Sequence, residues 1–260
     1  MKRLLKDIRK YGKYVIYAAK ADLTSEVANA YLDWFWWILE PVCNMFIYYV
    51  IFGLIFHNSE QYYLVFIYIG ITLWTFFSKT MQNSVRLIKD MRGIISKVYI
   101  PKPMLLLTKM AVNFFKMLIS FLITAIMMIP HRVNVSVYIL DVFPILIVFL
   151  MFTYACATFL LHFGVYVDDL SYVVSIILNM LFYFTGVFYS VGTKFPQPFG
   201  YYFEKANPIA FFIAQMRGAM LYKEPMDGVV LLLWFIISTI LSVIGTRLIY
   251  RNENSYIKVI

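Results

Sequence analysis

The sequence predicts an all-α polytopic membrane protein with six transmembrane helices, an N-terminal amphipathic interface helix, and re-entrant outer helices between spans five and six. Three observations carry this reading. The 260 residues are 62% hydrophobic and only 14% charged, against about 45–50% and 25% in soluble domains. Six apolar stretches reach the roughly 20 residues that cross a bilayer. Lys and Arg collect in alternate connections, as the positive-inside rule requires. By length the chain is one domain, 1–260. Cys43 and Cys156 both sit in apolar runs, which excludes a disulfide scaffold and says nothing of redox compartment. The net charge of +9 belongs, in so apolar a chain, to a membrane surface and not to nucleic acid.

Residues 1–30 are read as the interface helix. Lys2, Arg3, Lys6, Arg9, Lys10, Lys13 and Lys20 share the first twenty positions with a single acid, Asp7. Leu4, Leu5, Ile8, Tyr11 and Val15 recur three or four apart and form one stripe on a helix. A basic helix with such a stripe lies on a membrane instead of crossing it. The pattern is not that of a signal peptide, because no apolar stretch with a cleavage site follows. The six spans fall near 34–56, 61–79, 104–129, 142–167, 170–191 and 228–247. Lys109 and Lys116 interrupt the third. Each would cost about 2.5–3.5 kcal/mol at the bilayer centre, so they are expected to snorkel or to face the protein interior.

Charge then orients the chain. With the N-terminus in the cytoplasm, the basic helix precedes span one and the outer 57–60 loop has no Lys or Arg. The 80–103 connection returns Arg86, Lys89, Arg92, Lys97 and Lys102 to the inside. The outer 130–141 turn has only Arg132, and the tail after 247 carries Arg251 and Lys258. The acidic inner turn at 168–169 and the cations of 192–227 run mildly against the pattern. Both termini are expected in the cytoplasm. The stretch 192–227 contains Pro196, Pro198, Pro208 and Pro225, yet Ile209 to Tyr222 is nearly as apolar as a span. At about 14 residues it is too short to cross, which suggests a re-entrant or interfacial hairpin.

A search for chemistry returns little. No G-x-x-x-x-G-K-[ST] loop occurs, so a nucleotide is not cradled by that route. His57, His131 and His162 are scattered without a metal-binding spacing. Asp168 and Asp169 lack the further acid of a metal-diphosphate site and read as a solvated turn. A G-x-S-x-G elbow is absent. What remains is positional. Glu40-Pro41 sits in the first third of span one beside Asn44, where a carboxylate is either interfacial or functional. Trp34, Trp36, Trp37, Trp74 and the run Phe182-Tyr183-Phe184 are belt or lipid-facing aromatics on one reading. On the other, their faces line a path along which sugar rings stack and slide.

These residues resemble a family, the membrane subunits of type 2 ABC exporters for polysaccharides, which move O-antigen, teichoic acid and capsular polymers. The resemblance runs over nearly the whole chain. It is carried by Ala30-Tyr-Leu-Asp-Trp-Phe-Trp-Trp-Ile-Leu-Glu-Pro41, Ile95-Ser-Lys-Val-Tyr-Ile-Pro101, Asp168-Asp-Leu-Ser-Tyr172 followed by Phe184-Thr-Gly-Val-Phe-Tyr189, and Asn207-Pro208 leading to Arg217. It implies a homodimer of the permease with two ATP-binding subunits, in the bacterial cytoplasmic membrane. The chain is then not an enzyme and holds no cofactor, ATP and Mg being bound by the partner subunit. The 82–99 loop would couple to that subunit through Arg86, Lys89, Asp90, Arg92 and Lys97. The lipid-linked polymer would pass Trp34, Trp36, Trp37, Glu40, Trp74, Tyr183, Phe184 and Tyr189. The 192–227 hairpin would be the outer gate, with Asn207, Pro208 and Arg217. Arg217 is expected at the subunit interface or the aqueous path, held by a carboxylate such as Glu204 or contacting an anionic part of the substrate. Membrane lipids surround the protein, and nucleic acid is not a partner. Two alternatives stand beside this reading: a drug- or lipid-exporting permease, and a membrane-embedded transferase acting on lipid-linked sugars.

Overall fold

The computed structural model describes residues 2–28, 33–55, 60–134 and 136–259, and all regular elements among them are helical. The order is α1 (Lys2–Val27), α2 (Trp36–Ile55, its last seven residues in wider π-helical turns), α3 (Tyr63–Asp90), α4 (Arg92–Ile95), α5 (Lys102–Met128), α6 (Val142–Tyr166), α7 (Leu170–Phe184), α8 (Val191–Lys194), α9 (Phe199–Ala206), α10 (Pro208–Arg217) and α11 (Gly228–Val259). Helices α2, α3, α5, α6 and α11 are long and apolar enough to cross a membrane. The chain is thus a multi-pass helical membrane protein. The expected 57–60 loop and residues 30–32 of the aromatic stretch lie largely outside the described residues.

Helix α3 is the hub, packed on α2, α5, α6, α7 and α10, and most of its side chains are buried. It can be buried and still carry polar residues because its hydroxyls return to their own helix. Thr72 Oγ1 donates to Tyr68 O at 2.8 Å, and Thr80 Oγ1 donates to Phe76 O at 2.7 Å. Where water is absent such internal bonds satisfy a hydroxyl at little cost. Helix α6 joins α3 to α11. Helix α2 is the opposite case, with Met45 its one buried residue among those described.

Both termini lie at one end of the bundle. Glu253 of α11 is 7% exposed and binds Arg3 Nη2 at 2.5 Å, while Tyr99 Oη donates to the same carboxylate at 3.2 Å. Tyr250 Oη donates to Asp7 Oδ2 at 2.7 Å. We call this the basic end. Counting about 20 residues from the opposite ends of α2, α3, α5 and α11 brings each helix to a second boundary near Trp36, Gln82, Lys109 and Arg247. All four are residue types that suit a water–lipid interface, and α3, α5 and α11 run on past it.

Three boundaries differ from expectation. The segment expected as span five at 170–191 is helical only over Leu170–Phe184, because Gly186 takes φ +70 and turns the chain. The connection expected as an 80–103 loop is mostly helix. Helix α3 runs to Asp90, so Arg86, Lys89 and Asp90 stand on its last turns and the true connection is 91–101. Along α1, Leu4 and Ala19 are buried and Tyr11 and Val15 pack beside them, but Leu5 and Ile8 point away.

Candidate functional site

At the basic end the charged residues of 82–99 separate into two groups. Arg86 and Asp90 line a pocket of about 300 Å³ with Gln82, Asn83 and Tyr172. Lys89 is drawn out of that group by Asp168, whose Oδ1 accepts from its Nζ at 2.5 Å. That bond holds the Asp168 carboxyl below its ordinary range. Arg92 opens α4 and Lys97 follows it, both exposed, and the apolar Ile94, Val98 and Tyr99 are exposed beside them. The four-residue α4 owes its brevity to Gly93 and to the pair Pro101 and Pro103 downstream, which stop one helix and start the next. The result is a mixed basic and apolar knob beyond the lipid boundary.

The aromatic residues do not form one cluster. Trp34 and Trp36 are exposed at the basic end of α2, while Trp37 packs edge-on against Phe115 of α5 at 6.0 Å. Glu40 stands exposed one turn on. Toward the opposite end, Tyr48 and Phe52 of α2 meet Phe188 at 4.7 and 4.3 Å, and Phe182 joins the same knot. Trp74 is 8% exposed and lies against Phe182 at 5.4 Å, so it supports this knot from within α3 and does not face open space. Tyr183, 60% exposed, and Phe184 stand on the free face of α7, and Tyr189 Oη returns to Tyr183 O at 2.6 Å.

The Asn207-Pro208 pair is a helix start. Asn207 Oδ1 accepts from the backbone of Ile209 at 3.2 Å and Ala210 at 3.4 Å, and Pro208 takes the first helical position. Such a cap supplies amides that have no partner in the helix, and proline there costs no hydrogen bond. The helix drives Phe211 and Phe212 into the core against Phe149 and Phe152. Arg217 closes it, and its position corrects an expectation. It is 4% exposed and forms neither a hydrogen bond nor an ion pair with Glu204, although both line a polar pocket of about 130 Å³. Its Nε donates to Phe66 O at 3.0 Å, Nη1 to Gly186 O at 2.8 Å and Nη2 to Val187 O at 2.7 Å, with the Phe66 ring 3.4 Å away. Gly70 makes this possible, because a Cβ there would stand 2.6 Å from Nη2. Glu204 instead accepts from the Gly192 amide at 2.9 Å. The segment leaves from Phe184 and returns at Asp227, and its ends are drawn together: Asn207 Nδ2 donates to Phe184 O at 3.5 Å, Lys205 to Asp227 at 2.5 Å, and Met226 N to Asp141 Oδ2 at 3.2 Å.

Sequence reasoning missed the carboxylates that give the lysines of span three their partners. Lys109 binds Asp22 at 2.7 Å and Lys116 binds Glu26, both acids belonging to α1. The four-residue spacing of Asp22 and Glu26, set against the seven-residue spacing of Lys109 and Lys116, was a readable signal for helices crossing at an angle. Glu253 was missed as well, and its one signal was an isolated acid in a basic tail.

Taken together, the site is a helical membrane body with a solvated basic knob at one end and a proline-capped, buried hairpin at the other. That is the class of a transport permease. A model of the ABC-2 type transporter family matches residues 17–221, and the chain belongs to that family. Named relatives are distant but long. An O-antigen export system permease protein RfbA of Myxococcus xanthus is 23% identical over 194 residues, 74% of each chain. Two proteins of the same name from Klebsiella pneumoniae are each 21% identical, over 240 and 244 residues, covering 92% of each chain.

Proposed function

We propose that this chain is the permease subunit of an ATP-driven exporter that moves a lipid-linked polysaccharide, of the O-antigen, teichoic-acid or capsule kind, across the bacterial cytoplasmic membrane. The observation that carries the reading is the likeness to O-antigen export permeases over 92% of both chains. In this reading two copies work as a homodimer with two ATP-binding subunits, and the basic end is cytoplasmic. Six crossings follow from parity: both termini share one end, so five long helices need a sixth pass, and α7 with the 185–191 turn supplies it. The free faces of α2 and α7, with Phe46, Ile47, Ile176 and Met180 exposed, suit a second copy or lipid. Trp34, Trp36, Tyr183, Phe184 and Tyr189 border the path on these faces, backed by Trp74, and Trp37 and Glu40 border it from the cleft side of α2. Asn207, Pro208 and Arg217 build a re-entrant outer gate, α1 lies in the inner interface, and ATP and Mg are held by the partner.

The knob around α4 is the seat for that partner, through Arg86, Asp90, Arg92 and Lys97, with Lys89 holding the adjacent turn through Asp168. The test follows from this division. Purified alone the chain should hydrolyse no ATP, and hydrolysis should appear with the ATP-binding subunit. Reversing the charge of Arg86, Arg92 and Lys97 together should abolish co-purification of that subunit; surface pairs are worth only about 0–1 kcal/mol each, so single changes are too weak to decide. Robust hydrolysis by the chain alone, or a triple variant that binds and exports normally, overturns the reading.

A further inference from the structure

Between α1, α2, α3 and α5 lies a cleft of about 240 Å³ whose polar wall includes Glu26, Glu40, Asn44, Lys79, Asn83 and Lys116. Counted from the boundary residues Trp36, Gln82 and Lys109, it begins at the lipid boundary of the basic end and reaches about 15 Å inward, with Glu40 and Lys79 in its outer ~6 Å. Trp37, on its rim, is the residue type that marks that depth. Polar groups at this level cost about 1–3 kcal/mol each when left without partners. Lys116 is satisfied by Glu26. Among the described residues Glu40 and Lys79 have neither an ion pair nor a hydrogen bond, and both are exposed in the cleft. One unpaired negative and one unpaired positive charge therefore share a single small space. With Glu26 and Lys116 neutralising each other, the lining carries no net charge, so a simple anion or cation gains nothing overall.

The ligand that matches is one carrying both signs, a few ångströms apart, at the depth of lipid head groups. It is also an amphiphile. Phe76 walls the cleft on one side and an apolar groove of about 500 Å³ on the other, where Leu107, Met110, Phe114 and Met151 lie. Helix α2, the least buried of the five long helices, forms one side of the cleft. We propose that the cleft binds the head group of a zwitterionic phospholipid with a primary ammonium, its phosphate on Lys79 and its ammonium on Glu40, and that this lipid completes the packing of α2 against α3 and α5. The primary ammonium matters because it donates hydrogen bonds to a carboxylate, which a trimethylated head cannot do.

The experiment is native mass spectrometry of the purified full chain titrated with phosphatidylethanolamine, phosphatidylcholine or phosphatidylglycerol. The expected result is one tightly retained phosphatidylethanolamine per chain, with phosphatidylcholine weaker. Lys79→Gln and Glu40→Gln should each lower its affinity about tenfold without changing thermal unfolding of the lipid-free chain. Both side chains are exposed, so these near-isosteric changes leave the fold in place. Phosphatidylglycerol binding as well as phosphatidylethanolamine, and more tightly in Glu40→Gln, would mean an anion site and overturn the proposal. Equal retention of all lipids by wild type and variants would mean that the cleft holds water, and would overturn it too.

Discussion

Arg217 shows how one side chain can define a segment. A guanidinium at this depth is tolerable only if its donors are used, and three are directed at carbonyls of α3 and of the 185–189 turn. Charge-assisted hydrogen bonds contribute about 1.5–3 kcal/mol each, and lysine cannot reproduce a three-way fork. Arg217→Lys and Arg217→Ala should therefore both destabilise the protein by several kcal/mol, seen as a large loss of monodisperse material and a fall in thermal unfolding temperature. Gly70→Ala should do the same by displacing the guanidinium. Combined with Arg217→Ala it should cost clearly less than the sum, because the two act on one contact; strict additivity would show that the fork carries no weight. The sequence marked Arg217 by its oddity, a cation in an apolar run, but not its partners. Backbone carbonyls have no side-chain signature, whereas the Glu204 contact expected from charge alone is not formed. Asn207-Pro208 was more legible, since Asn is a favoured helix cap and Pro a favoured first helical residue.

At the scale of elements, salt links join helices distant in sequence. Lys116 and Glu26 tie α5 to α1, with both side chains about a third to a half exposed. Screening discounts such a pair to about 0.5–1 kcal/mol, although nearby lipid makes a lone charge worse. Lys116→Glu should loosen α1, measured as faster hydrogen exchange across residues 20–27, and Glu26→Lys added to it should restore protection. If the double reversal exchanges as fast as the single, packing alone holds α1. Lys205 and Asp227 join α9 to the start of α11. The hydrogen bond from Lys205 holds the Asp227 carboxyl below its ordinary range, and the bond to Asp227 together with Tyr201 raises the Lys205 ammonium. The carboxylate's contribution is complete above its ordinary pKa of about 4 and is lost as pH falls through the lowered value. The ammonium's is complete below about 10.5 and is lost as pH rises through the raised value. Protection factors in α9, with exchange corrected for its intrinsic pH dependence, should therefore stay flat between those limits and fall outside them, and Asp227→Asn should remove the acid limb. The spans themselves were legible because a run of some 20 apolar residues has no soluble use. The helical continuation of α3 to Asp90 was not, because its charged last turns look like loop when composition alone is weighed. The early end of α7 turns on a single glycine.

For the whole molecule, the decisive relation is that Arg3 and Glu253 touch. Termini on one side of a membrane require an even number of crossings, and five helices are long enough to cross. On the proposed six-crossing topology either α7 or the α10 segment supplies the sixth, and the two choices put different residues outside. If α7 crosses, the whole of 192–227 begins and ends at the opposite end, and exposed Tyr202 and Lys223 lie on the same face. If α10 crosses in its place, the two residues lie on opposite faces. The first arrangement is favoured because Lys205 meets Asp227 while nearby Asn207 meets Phe184 O, which brings both ends of the segment to one rim, where Met226 also meets Asp141. The measurement uses single cysteines at 202, 223 and 94 in a chain whose Cys43 and Cys156 are replaced by alanine. Positions 202 and 223 should both react with an impermeant maleimide added to intact cells, once any outer envelope is opened, and position 94 should react only after the cytoplasmic membrane is broken. Reaction of 223 alone from outside would make α10 the crossing segment. Helix α7 would then be a half-span, and the buried fork of Arg217 would sit within a transmembrane helix instead of holding a gate.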